Sequence, residues 1–203
     1  MEKKQGEKIL CISHNLSVKG ESRMKVAVYF ATGYEEVEAL SVVDILRRGG
    51  IEVLMVGADG QKAVSSRNHV SINMDALVEE INHDEIDMMV LPGGVPGVNH
   101  LAENEILVKQ LKEFKEKGKW LAAICAGPSI LGNLGLLKGE QATCYPGYEE
   151  QLLGCEYLKE PVVVSNHIIT AVGAGASLDF GYKILEMLKG KELSDKIRAA
   201  MKA

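Results

Sequence analysis

Leu121-Ala-Ala-Ile-Cys-Ala-Gly-Pro128 is the stretch whose reading decides the architecture. Trp120 to Ile124 is a short apolar run suited to a buried parallel strand, and Pro128 to Leu136 carries Ile130, Leu131 and Leu134 at helical spacing. Pro128 fits a first helical turn, while the small residues Ala123, Ala126 and Gly127 let the backbone swing sharply from strand into helix, as a nucleophile elbow does. Cys125 sits at that crossing. Unpaired N–H groups and the positive end of the helix dipole favour thiolate over thiol there, which predicts a reactive cysteine with a lowered pKa. The competing reading is a packed core thiol, the commoner fate of a single cysteine.

Outward from the elbow, strand-like and helix-like segments alternate from Met24 onward. Val26 to Phe30 is an apolar run, followed by helical spacing over Glu35 to Arg48 with Val37, Leu40, Val43, Ile45 and Leu46 mostly on one face, and by a stop at Gly49-Gly50. Ile51 to Val56 reads as a strand, Lys62 to Ile72 as a hairpin-like excursion and Asp75 to Ile81 as a helix. Met88 to Leu91 is a further strand, and Glu105 to Lys117 an amphipathic helix that stops at Gly118. Past the elbow, Val162 to Ser165 and Ile168 to Val172 are strands joined by the Asn166-His167 turn, and Ser177 to Leu188 and Leu193 to Met201 are helices. The alternation predicts an α/β sandwich with a mostly parallel sheet and helices on both faces.

The 203 residues suffice for one domain with a full core. A net charge of -5 and a pI near 5.6, with no basic stripe, exclude nucleic acid as a partner. The longest uncharged stretch, Trp120 to Leu137, is Gly-rich and broken by Pro128, so no membrane span is expected. Cys11, Cys125, Cys144 and Cys155 show neither CxxC pairing nor zinc-like spacing, and no secretory signal is visible, which points to the reducing cytoplasm. His69, His83, His100 and His167 are scattered singly, so no metal is expected. Residues 1–23 are polar and lysine-rich and read as an extension outside the folded domain of residues 24–203, leaving His14 and Cys11 little functional weight.

In an open α/β sheet, ligands bind beyond the carboxyl ends of the strands, where three loops carry unusual chemistry. These are Ala31 to Glu38, Pro92 to Gly97, and Ala126-Gly127 after Cys125. The Pro92-Gly-Gly turn offers backbone N–H groups unobstructed by side chains, suited to an oxyanion pocket shared with the N–H of Ala126; the plainer reading is a tight turn only. Val95 stands where a G-x-G-x-x-G fingerprint starting at Gly93 needs its second glycine, which disfavours a dinucleotide site. Glu35, Glu36 and Glu38 all complement the first helix's dipole, but with Val37 and Leu40 facing inward, Glu38 falls near the buried side and Glu35 toward water. A desolvated Glu38 beside a thiolate has a raised pKa and acts as a proton carrier.

Gly33-Tyr-Glu-Glu-Val-Glu38, Val43-Asp-Ile-Leu-Arg-Arg48, Ser66-Arg67, Val90-Leu-Pro-Gly-Gly94, Ala123-Ile-Cys-Ala-Gly-Pro128 and Gly190-Lys-Glu192 together resemble the DJ-1/ThiJ/PfpI superfamily, in its DJ-1-like branch. The resemblance runs from about Met24 to near the C-terminus, in the family's order. It implies a flavodoxin-like fold and a homodimer formed partly through Glu35 to Arg48. It also implies Cys125 as an oxidation-sensitive nucleophile, Glu38 as its protonated partner, and Gly94 and Ala126 as backbone donors. The activities it implies are cofactor-independent glyoxalase or deglycase chemistry on methylglyoxal and similar dicarbonyls, alongside oxidative-stress sensing and chaperone-like behaviour through Cys125.

The departures bear on mechanism. Residue 126 is alanine where protease-like relatives carry a histidine, which disfavours a Cys-His peptidase. Tyr145, in the Thr143-Cys-Tyr-Pro146 loop, stands where the branch pattern has a histidine, and Val172 where it has an arginine. With an ordinary pKa of about 10, tyrosine orients a carbonyl but is a poor general base near neutrality. Arg67 remains as an anion contact or a plain surface residue. Cys144 is either a resolving thiol for oxidised Cys125 or a packed small residue. His100, after the Pro-Gly-Gly loop, is the histidine with a route to the site.

Overall fold

The structure, a computed structural model, describes residues 24–203; Cys11, His14 and the extension assigned to residues 1–23 lie outside the described residues. In chain order the elements are β1 (Lys25–Phe30), α1 (Glu36–Arg48), β2 (Glu52–Gly57), β3 (Ala63–Ser65), β4 (Ser71–Asn73), β5 (Ala76–Leu77), β6 (Met88–Leu91), α2 (Gly97–Glu103), α3 (Glu105–Glu116), β7 (Trp120–Ile124) and α4 (Pro128–Asn133). They continue with β8 (Gln141–Ala142), β9 (Glu156–Tyr157), β10 (Val162–Ser165), β11 (Ile168–Ala171), α5 (Ser177–Lys189) and α6 (Lys191–Met201).

Seven strands form one sheet in the order β10-β11-β7-β6-β1-β2-β5. Every neighbouring pair is parallel except β10 with β11, joined by the tight Asn166-His167 turn. Side chains alternate across the sheet, so each strand feeds two cores. Ala27, Tyr29, Leu121 and Ala123 meet Leu101, Leu107, Leu111, Phe114 and Ile130 from α2, α3 and α4 on one face. Val26, Val28, Phe30, Ala122 and Ile124 meet Val42, Ile45, Leu46, Phe180 and Ile184 from α1 and α5 on the other, with α6 packed outside. This is why the strands read as continuous apolar runs.

β1 lies between β2 on one side and β6 on the other, so the winding direction reverses there. The loops leaving β1 and β6 therefore diverge and open a crevice at their carboxyl ends.

Four local expectations are corrected. Asp75 to Ile81 is not a helix: Ala76 and Leu77 extend the sheet edge against Val56 and Gly57, and only a short 3-10 turn follows, so pairing with an open edge outweighs helical spacing. The helix after Pro128 ends at Asn133 rather than Leu136, because Gly135 adopts φ +73° and Leu136 N–H turns back to the Leu131 carbonyl. Val37 is half exposed rather than core-facing, because the face of α1 against the sheet and α5 runs through Glu38, Ala39, Val42, Ile45 and Leu46. Finally, α2 forms within a segment that carried no predicted element.

Candidate active site

Cys125 follows directly from β7 and has φ +64°, a left-handed conformation that a residue with a Cβ rarely adopts. Its backbone is held from both sides: the Cys125 N–H donates to the Ala171 carbonyl at the end of β11 (2.9 Å), and the Cys125 carbonyl accepts from Tyr145 N–H (2.8 Å). The strand termini thus hold the elbow in its strained form and bring the Tyr145 loop against it.

Glu38 comes from the first turn of α1 and is 1% exposed. Its Oε2 accepts the Gly93 N–H at 2.8 Å, from the loop after β6. A Cβ built on Gly93 would stand 2.5 Å from Glu38 Oε2 and 2.6 Å from Cys125 Cβ, so only glycine lets the carboxyl and the thiol approach. This corrects the expectation for Gly93, whose N–H belongs to Glu38 rather than to a substrate oxygen. The Gly94 and Ala126 N–H groups point at the sulfur instead.

Burial pushes the Glu38 carboxyl up to about 7, with the neighbouring Glu35 charge adding to it and Cys125 and the Gly93 N–H opposing it. Burial also pushes the Cys125 thiol up to about 12, reinforced by the Glu38 charge and opposed by the Ala126 and Gly94 donors. The acidified thiol expected from a helix N-terminus is therefore not what the surroundings produce. The helix is six residues long and starts three residues after Cys125, and desolvation beside a carboxylate outweighs its dipole. Between these two values the pair holds one proton, and two donors at sulfur favour its passage to Glu38.

The pair opens into a cavity of about 440 Å3 that brings together Cys125, Glu38, Gly94, Ala126, Tyr145 and Arg67. Arg67 arrives on the turn of the β3–β4 hairpin, where its N–H donates to the Tyr34 carbonyl at 2.9 Å. Its guanidinium pairs loosely with Glu35, at 3.7 Å. Glu35 thus faces the cavity rather than open water. Its N–H donates to the Gly93 carbonyl at 2.9 Å, which turns the residue inward.

Val95, Tyr148 and Ala174 complete the wall; Val95 was read from the sequence only as the break in a dinucleotide fingerprint, and Tyr148 and Ala174 were not singled out. Tyr148 had a usable signal, since it follows Tyr145 by one turn, and its N–H donates to the Tyr145 carbonyl at 3.1 Å.

Three residues weighed for the site lie elsewhere. His100 is turned away on α2, its Nδ1 3.0 Å from the Thr32 carbonyl, and borders a separate groove with Asp59. Val172 lines another depression with Pro146 and Tyr157. Cys144 is fully buried in the core on the α3 side, and burial pushes its thiol up to about 12, so of the two readings open to it the packed residue fits. Cys125, Cys144 and Cys155 are all free thiols. Among the described residues no three His, Cys, Asp or Glu side chains gather as metal ligands, and no helix is long and apolar enough to cross a membrane.

Against known proteins, the DJ-1/PfpI family profile matches residues 24–187. The chain belongs to the DJ-1/PfpI family. Protein DJ-1 homolog B of Arabidopsis thaliana is 36% identical over 173 residues, covering 84% of this chain, which spans only 40% of that relative's length. The Caenorhabditis elegans glutathione-independent glyoxalase DJR-1.2 is 32% identical over 165 residues, 80% of this chain and 87% of its own. Among solved structures, oxidized Toxoplasma gondii DJ-1 superposes with a TM-score of 0.85 at 36% identity, covering 88% of this chain and 97% of that one. The α/β architecture is thus that of the family.

Proposed function

We propose that this family member is a cofactor-independent glyoxalase acting on α-oxoaldehydes, with Cys125 as nucleophile and Glu38 as proton carrier. The carrying observation is the Cys125–Glu38 pair, a buried carboxyl and a half-buried thiol brought together at Gly93, with the Ala126 and Gly94 N–H groups favouring the thiolate and one side open on the cavity. The name of the Caenorhabditis elegans relative supports the same reading.

Glu38 carboxylate takes the thiol proton as sulfur bonds to the aldehyde carbon, and the developing oxyanion is met by the Gly94 and Ala126 N–H groups. Glu38 returns its proton to that oxygen and then removes the proton from the former aldehyde carbon, giving an enediolate. Glu38 delivers that proton to the adjacent carbon while the hydroxyl proton on the first oxygen passes to the second, which yields a thioester of the α-hydroxy acid. Water cleaves the C–S bond and regenerates the thiol. The aldehyde carbon is oxidised and its neighbour reduced, so no external electron acceptor is consumed.

Lactate formation from methylglyoxal is the test: Cys125→Ser abolishes it and Cys144→Ser does not. Lactate no higher than with heat-killed protein overturns the proposal.

A second reading makes Cys125 a redox sensor, oxidised by peroxide to sulfenic and then sulfinic acid; the open cavity over the sulfur favours it. Intact-mass measurement after peroxide titration tests it, and absence of a selective two-oxygen adduct on Cys125 counts against it. Family members are commonly dimeric. We extend that to this chain through α1, where Val37 is 49% exposed. The free thiols are in keeping with a reducing cytoplasm.

A further inference from the structure

The cavity over Cys125 is larger and more aromatic than the smallest dicarbonyls require. Methylglyoxal displaces on the order of 100 Å3, three or four times a water's share of about 30 Å3, whereas the cavity measures about 440 Å3. Besides the charged residues and the reacting pair with its backbone donors, it is lined by Tyr145, Tyr148, Val95 and Ala174. Tyr145 stands next to the sulfur with only Gly173 between them: a Cβ on Gly173 would lie 3.2 Å from Tyr145 Cδ2 and 3.9 Å from Cys125 Sγ. A flat group entering there meets an aromatic surface while its carbonyl faces the thiol.

Charge narrows the ligand class. Glu35, Glu38 and Arg67 are the charged residues of the lining, and Arg67 is matched by Glu35 at 3.7 Å. With two carboxyl groups against one arginine, that lining carries no positive surplus to recruit a phosphate or carboxylate group.

We infer that the site prefers a neutral α-oxoaldehyde bearing an aromatic substituent, with the ring held against Tyr145 and Tyr148, over methylglyoxal or anionic aldehydes. The inference rests on the glyoxalase reading for its chemistry, but the recognition has an independent readout.

Two measurements test it. In the first, kcat/KM is compared for phenylglyoxal, methylglyoxal and glyoxylate. Wild type is expected to favour phenylglyoxal over methylglyoxal at least tenfold, with glyoxylate the poorest, and the ratio is expected to fall to about twofold in Tyr145→Leu/Tyr148→Leu. Equal or better use of methylglyoxal overturns the inference and leaves the glyoxalase reading standing. In the second, which needs neither turnover nor a variant, Cys125 alkylation by iodoacetamide is followed in the presence of 1-phenylethane-1,2-diol or propane-1,2-diol, both neutral. Protection by the aryl diol at a concentration at least tenfold lower supports aromatic recognition, even where no substrate is turned over and the glyoxalase reading fails. Equal protection by both diols, or none by either, overturns it.

Discussion

Two glutamates are buried among the described residues, Glu38 at 1% and Glu140 at 7% exposure, and their environments drive them in opposite directions. Burial alone raises both. At Glu140 it is overcome by Lys115 Nζ at 2.5 Å, Ser165 Oγ at 2.7 Å and Asn166 Nδ2 at 2.7 Å, which hold the carboxyl below its ordinary range. Glu38 receives one backbone N–H and a thiol, and stays raised to about 7. Glu140 ties α3 and the segment before β8 to the β10–β11 turn as a fixed anion. Glu38 is left able to change its protonation state near neutrality, which is what a proton carrier requires.

The largest effect that sharpens this contrast is on reactivity. Glu38→Gln is expected to lower α-oxoaldehyde turnover by about 10²–10⁴-fold, the range of a lost general base. It should also remove an inflection near pH 7 from the alkylation profile of Cys125, leaving one alkaline inflection. Glu140→Gln is expected to keep the inflection near pH 7. An unchanged profile in Glu38→Gln breaks the comparison.

Stability comes next. The Glu38 carboxyl is raised in the folded state, so wild type loses stability as pH climbs from about 4.5 to about 7 and the unfolded chain ionises first. The displacement corresponds to roughly 3 kcal/mol. Urea unfolding should therefore find Glu38→Gln more stable than wild type at pH 8 by up to about that amount, and equal to it near pH 4.

Glu140→Gln should do the reverse. It strips Lys115 and two further donors of a charged acceptor and costs about 1–3 kcal/mol at pH 7. Because the Glu140 carboxyl is lowered in the folded state, that difference shrinks as pH falls below the ordinary carboxylate range. The smallest effect is expected at His100, which bonds to Thr32 away from the cavity: His100→Ala should leave kcat/KM within about twofold.

Much of the architecture was legible because its signals are local. The apolar runs of β1, β6 and β7, the glycine stop after α1, the hairpin at Lys62 to Ile72 and the small residues around Cys125 each act within a few positions of themselves. Apart from the helix after Pro128, which Gly135 ends locally, the clearest errors fall where a distant partner intervened. Ala76 and Leu77 became strand because β2 had an open edge. Val37 turned outward because α5 and the sheet chose another face of α1. Glu35 turned inward through a hydrogen bond to the loop after β6.

By itself the sequence determined a parallel α/β sheet, a cysteine at a strand-to-helix crossing and an acid on the first helix, since periodicity and turn chemistry are properties of neighbouring residues. Only the tertiary structure decided that Gly93 serves Glu38 rather than the substrate, that His100 stands apart, that Tyr148 walls the cavity, and that one buried glutamate is raised while another is lowered. Proton affinity depends on desolvation and on the donors that reach the carboxyl, and the Gly93 donor comes from 55 positions along the chain.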